Sequence, residues 1–399
     1  MHGITTPLLI WRAGLLAVLT AMAIAGCGGG VGTGGTGGNA TAYAAGPITG
    51  FGSVIVGGVR FDDSAAAVED GEGGRRSRDE LRLGMTVEVD SSAISTGTSG
   101  SSASASRIRF DSEMSGLVGA LDLSGSAFTL LGQRVSVDAS TVFDDRLEGG
   151  GLAALRIGQA VEVYAVYDVV GGRYRATRLE QASLASGLRL RGPVAQLDTA
   201  AQTLRVGATS YSYAGASGMP ADLAVGQFVR LRLALVALPT PRWVVQSFTT
   251  ALQPLADADA AKVEGLVSAF SSAMVFSVSG RTVDATAASF PGGSAGLAVG
   301  VRVEVEGTLR AGVLRASKVS IVSDDEVRDR GFELIGAISA VNAAQATITL
   351  RGLTVSTARA DLRYDDGSAV NLVVGRNVEV KGVLAADRRT LEATRIRFR

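Results

Sequence analysis

One cysteine and one histidine in 399 residues leave this chain little thiol or imidazole chemistry. Cys27 alone makes no internal disulfide and no cysteine-rich zinc site, and His2 lies in a stretch expected to be removed before the protein matures. Only 5% of residues are aromatic, so platforms for stacking bases are scarce. Thirty-eight basic residues against 38 acidic ones give no whole-chain field to draw in a polyanion. These shortages argue against a metal, a cofactor, a nucleic-acid partner and an enzyme, because no histidine base, thiol nucleophile or recurring catalytic set is left.

The N-terminus carries an address. Arg12 precedes the apolar run AGLLAVLTAMAIAG, which is short for a membrane span and ends at Ile24-Ala25-Gly26-Cys27. That ending resembles the lipobox of bacterial lipoproteins, which implies a signal peptide over 1–26 and lipidation at Cys27. The alternative is an ordinary buried cysteine behind an apolar segment. Residues 27–45, Cys27 followed by GGGVGTGGTGG, read as a flexible Gly-rich tether spanning roughly 25 Å. Gly28 stands where an Asp would favour inner-membrane retention, so the resemblance implies a lipid anchor in the bacterial outer membrane, on the periplasmic face, with surface exposure left open.

Glycine is the abundant residue, 52 in all, and much of it is periodic. A Gly followed by alternating apolar residues recurs as LGMTVEV, IGQAVEV, VGQFVRL, VGVRVEV and VGRNVEV, with the glycines at 84, 158, 226, 300 and 375. Around each lie an opening Gly-containing strand, such as SGLVGALD from Ser115, and a closing strand, such as RATRLE from Arg175 or EATRIRF from Glu392. A period near seventy residues is that of a small domain. The expected units are 46–112, 113–184, 187–252, 262–323 and 331–399.

Period-two alternation, valine enrichment and Gly or Asp turns predict an all-β chain of tandem small antiparallel β-barrels. Closure would remove the edges that an open sheet of this size leaves exposed, and the strand order resembles that of oligonucleotide-binding barrels. Flat sandwiches built across units are the alternative. The polar joints near Leu252 and Ser323 suggest a string of beads with limited bending, while Ser91–Ser106 and the charged stretch Asp70–Glu80 read as solvated loops.

Few residues suggest chemistry. The doublets Asp62-Asp63, Asp144-Asp145 and Asp365-Asp366 have the oxygen ligands of a weak calcium site, or simply accept turn amides. Glu88, Glu162, Glu304 and Glu379 fall between inward valines and should point to solvent, paired with Arg107, Arg178, Lys318 and Arg395 on closing strands. Arg230 breaks that row in unit three. Tyr167, Tyr174, Arg173 and Arg175 are the candidates for a ligand groove, suited to a saccharide or peptide.

The opening Gly strand, the GxxVEV strand and the closing strand together resemble a bacterial family of unknown function, domain of unknown function 5666, found in tandem in secreted proteins and lipoproteins. The resemblance covers nearly everything from Gly46 onward, is weakest in unit three (VRLRLALVALPTPRWVV), and brings no catalytic or ligand residues with it. The functional expectation is an envelope lipoprotein anchored at Cys27 whose tandem domains bind or scaffold an envelope protein or glycan. A polysaccharide-binding or polysaccharide-processing protein and a passive spacer are the alternatives. Metabolic labelling with a fatty acid in the native bacterium should mark the wild-type chain and leave Cys27→Ser unlabelled; an unlabelled wild type would sink the address.

Overall fold

The computed structural model describes residues 41–98, 100–147, 149–236, 242–250 and 255–399. His2, Cys27 and the tether up to residue 40 lie outside the described residues, as does the tip of the last hairpin of unit three.

The valine-rich segments form strands that close the same circuit five times. In barrel 1, Thr41–Phe51 pairs with Val54–Val56, which pairs with Val59–Asp62; this third strand runs parallel to Gly100–Phe110, which pairs with Thr86–Ser92, which returns to Thr41–Phe51. Barrel 2 runs from Met114–Asp122 to Arg173–Gln181, and barrel 3 from Leu188–Asp198 to Arg242–Thr250. Barrel 4 runs from Ala258–Ser272 to Val313–Ile321, and barrel 5 from Phe332–Asn342 to Leu391–Phe398. The order 1-2-3-5-4-1, with a parallel third and fifth strand, is the topology of oligonucleotide-binding barrels. These are closed barrels rather than sandwiches.

Local chemistry explains the closure. The recurring glycines at 84, 158, 226, 300 and 375 all take φ between +81° and +88°, a turn that a side chain would strain just before strand four. Each fourth strand then shifts register at one equivalent step, as at Asp90/Ser91, Tyr164/Ala165 and Lys381/Gly382. Such a bulge bends the strand around a narrow barrel. At Gly382 the backbones come so close that a Cβ would sit 2.4 Å from the Glu392 carbonyl oxygen.

The barrels are not beads on a string. The described residues all fall in a single compact unit. In each barrel the first strand bonds strand four with its first half and strand two with its second, leaving one free half-edge on each side. Barrel 1 uses both: Ala42–Ala45 run parallel to Ala260–Val263 of barrel 4, and Gly50–Phe51 run parallel to Glu333–Leu334 of barrel 5. Barrels 2 and 3 join by the same edge, Met114–Ser115 against Leu190–Arg189. Cores merge accordingly. One hydrophobic cluster spans barrels 1 and 5 and a second spans barrels 2 and 3. The two groups meet where Gly84 lies against strand five of barrel 2, with Arg178 Nη1 donating to the Leu83 carbonyl at 3.1 Å.

Three sequence expectations change. The tether does not reach residue 45, because Thr41–Ala45 is strand with Tyr43 fully buried. Ser91–Ser106 is no idle loop: Gly100–Phe110 is strand five, and Ser101–Ser104 pair with Val59–Asp62 to close barrel 1. Small polar side chains conceal a strand whose backbone supplies the seam. The charged stretch Asp70–Glu80 reaches barrel 3, where Arg230 donates to the Gly71 carbonyl at 2.5 Å and Arg232 meets Glu72 at 2.8 Å.

The joint between barrels 1 and 5 tolerates no side chain at Gly52, which has φ +139° and whose Cβ would lie 2.3 Å from Ile335 Cβ. Gly52→Val should lower unfolding stability in urea by on the order of 3 kcal/mol. Gly226→Ala, at positive φ but in open space, should cost only about 1 kcal/mol. Equal losses would contradict the close approach.

Candidate functional site

The glutamate row lies in the joints. Glu88 accepts from Arg281 of barrel 4 at 2.5 Å as well as from its own barrel's Arg109 at 3.1 Å. Glu162 accepts from Arg189 of barrel 3 at 3.0 Å. Glu379 lies 3.7 Å from Arg60 of barrel 1, and Glu304 meets Lys262 at 2.9 Å and Arg330, at the end of the short helix Asp324–Arg330, at 3.3 Å. The partners expected for this row are engaged elsewhere: Arg107 with Asp90, Arg178 with Glu180, Lys318 with Glu306 and Arg395 with Asp365. The physical reason is the free half-edge of strand one. A neighbour that docks there covers the outward face of strand four beside it.

Of the row, Glu88 lines a cavity of about 140 Å³ walled by barrels 1 to 4. Glu88, Asp111, Glu113 and Glu264 face Arg109, Arg191, Arg230 and Arg281 across it, with Tyr43 and Tyr167 in the wall. Arg191 donates to Glu113 at 2.5 Å and stacks its guanidinium 5.5 Å above the Phe228 ring, while Arg230 pairs with Asp111. The break in the row thus has a role: Arg230 reverses the sign and reaches an aspartate rather than an arginine. Burial alone would raise the Glu88 carboxyl, but Arg281 and Arg109 outweigh it and hold the group below the usual carboxylate range. Glu113 goes the other way. Burial, opposed by Arg191 and reinforced by Asp111, pushes it up to about 7, and its Oε2 has no hydrogen-bond partner among the described residues. Burial first, and then the charge of Glu88, push the Tyr43 phenol well above its ordinary value.

The proposed groove residues do not form a groove. Tyr174 is fully buried, with its hydroxyl donating to the Arg191 carbonyl at 2.6 Å, and Tyr167 packs on it with ring centroids 4.7 Å apart. Arg173 and Arg175 alternate with Tyr174 and so point to the other face of the strand, where they meet Asp168 at 3.3 Å and Asp324 at 2.5 Å. Period two separates the aromatics from the cations. The aspartate doublets are also occupied: Asp144 by Arg146, Asp62 by the Ser64 amide at 3.0 Å, Asp365 by Arg395 and Asp366 by Arg397. Among the described residues no group of three or more His, Cys, Asp or Glu is placed to hold a metal ion. Sequence reasoning passed over the cavity residues because Arg191, Arg281 and Glu113 look like ordinary strand-end charges. Their only signal was placement beside the free edges.

Glu113 makes stability depend on pH with a definite sign. The folded chain holds its proton more tightly than the unfolded chain, whose carboxyl has the ordinary value of 4.5, so its contribution is greatest below that value and is lost as pH rises toward about 7. The lowered carboxyls, Glu88 among them, act below that window. Between about pH 5 and pH 8 the wild type should lose on the order of 3 kcal/mol of stability from this group, and Glu113→Gln should flatten that slope in denaturant titrations. An unchanged slope would remove Glu113 from this role.

Comparison with known proteins comes at three levels. Residues 115–180, 264–320 and 335–397 match the family described as domain of unknown function (DUF5666), and these segments fall on barrels 2, 4 and 5. No curated protein matches the chain. Among solved structures, drosophila Unr CSD456 is similar at 15% identity over 53% of this chain and 97% of that one, with a TM-score of 0.15, a likeness too slight to carry an argument. Barrels 1 and 3 close by the same circuit outside the matched segments. The chain therefore carries three tandem copies of the DUF5666 domain.

Proposed function

We propose that this chain is a non-enzymatic envelope lipoprotein, anchored through Cys27, whose five barrels form one stiff binding or scaffolding body. The observation that carries the reading is where the charge goes. The ionisable groups nearest to a catalytic arrangement, Glu88, Asp111, Glu113, Arg191, Arg230 and Arg281, are paired with one another across barrel boundaries. Buried ion pairs of this kind set the relative placement of the parts they join more than they add stability. Strand pairing between barrels favours a fixed body over a passive spacer with removable beads. The polysaccharide reading loses its proposed groove, since Tyr167 and Tyr174 are in the core.

Crosslinking with mass spectrometry on native cells tests the reading, with Cys27→Ser as the unanchored control. A recurrent envelope partner crosslinked to particular barrels, and lost in the control, is the expected result. A protein that crosslinks to nothing above the control would defeat the scaffold reading.

A further inference from the structure

The seam between barrels 1 and 5 holds a second pocket of different character. It encloses about 200 Å³, room for about six waters, and its lining is almost wholly charged. Arg60 comes from strand three of barrel 1; Lys381, Arg395 and Arg397 come from strands four and five of barrel 5, and Arg399 follows them. Glu379 is the one carboxylate in the wall.

Strand geometry brings these cations together. Arg395, Arg397 and Arg399 share one face by period-two alternation, with Ile396 and Phe398 buried between them. Register places Lys381 directly opposite Arg395, a like-charge pair that costs stability. The compensating carboxylates are already engaged. Glu379 accepts from Arg399 Nε at 3.2 Å and lies 3.7 Å from Arg60; Glu333 meets Lys381 at 3.5 Å and also pairs with Arg60. Asp365 pairs with Arg395, and Asp366 lies 3.6 Å from Arg397. Among the described residues the pocket wall itself thus sets five cations against Glu379, while Glu333, Asp365 and Asp366 lie outside it. Each guanidinium offers its donors in a planar fork matched to oxyanions.

We propose that this seam is an anion site for a phosphate-bearing ligand about the size of a diphosphate. A two-phosphate group would neutralise the excess positive charge, bridge Arg60 to the barrel 5 cations and relieve the Lys381–Arg395 repulsion. The proposal is independent of the scaffold reading, because it concerns one joint and one chemical class. The phosphate could belong to a soluble molecule or to a lipid headgroup, and the experiment separates these sources.

The full Cys27→Ser chain, which has no anchor to confound lipid binding, is titrated calorimetrically with inorganic pyrophosphate at low and raised salt. It is also sedimented with phosphatidylcholine vesicles with and without phosphatidic acid. Arg395→Gln combined with Arg397→Gln removes two half-exposed cations, and a thermal melt checks that this variant folds. Arg134→Gln combined with Arg173→Gln, two comparably exposed arginines on barrel 2, controls for net charge. Pyrophosphate binding that weakens with salt and falls at least tenfold in the Arg395→Gln, Arg397→Gln variant, but not in the barrel 2 control, supports a soluble ligand. Sedimentation only with phosphatidic acid vesicles, lost in the same variant, supports a headgroup. Binding of neither probe by the parent chain, or equal loss in the control, overturns the proposal.

Discussion

The arrangement of the whole body depends on backbone hydrogen bonds left over by the first strand of each barrel. A strand that bonds strand four with one half and strand two with the other must leave N–H and C=O groups unpaired along the two remaining half-edges. Exposed edges of that kind are a liability, and here they are answered by pairing with other barrels. The strand Thr41–Phe51 answers both at once, to Ala258–Ser272 on one side and Phe332–Asn342 on the other. Barrel 1 thereby holds barrels 4 and 5, although both are distant in sequence.

The placement of charge follows from that pairing. Once a neighbour seats on the free edge, the outward face of strand four becomes an interior wall, and its glutamates are desolvated. Arginines from the docking barrel meet them there, as Arg281 does at Glu88 and Arg189 at Glu162. Where compensation is incomplete the group shifts instead, as Glu113 does beside Asp111. The cation-rich pocket wall at the barrel 1 and barrel 5 seam is the opposite imbalance, produced by the same docking.

Much of a single barrel was legible along the chain. The glycines at 84, 158, 226, 300 and 375 announced the turn before strand four, and alternating valines announced the inward face, because both depend on local backbone geometry and period. The first half of the strand Gly100–Phe110 was missed because serine and alanine give no alternation, although its backbone closes barrel 1. Tyr167, Tyr174, Arg173 and Arg175 were read together because they are neighbours in sequence, yet alternation along the strand sends the buried rings and the arginines to opposite sides.

By itself the sequence determined the repeat, its five-strand barrel and the export-like N-terminal pattern, all of which rest on residues within about seventy positions of one another. Only the tertiary structure decided that barrel 1 pairs with barrels 4 and 5, that the glutamate row lies half-buried or buried in joints, and that Arg60 meets Arg395, Arg397 and Arg399 across a seam. The reason is physical. Strand period and turn conformation are written in neighbouring residues, whereas the partner of a free backbone edge is chosen by which other edge can reach it with matching charge, and no local pattern records that choice.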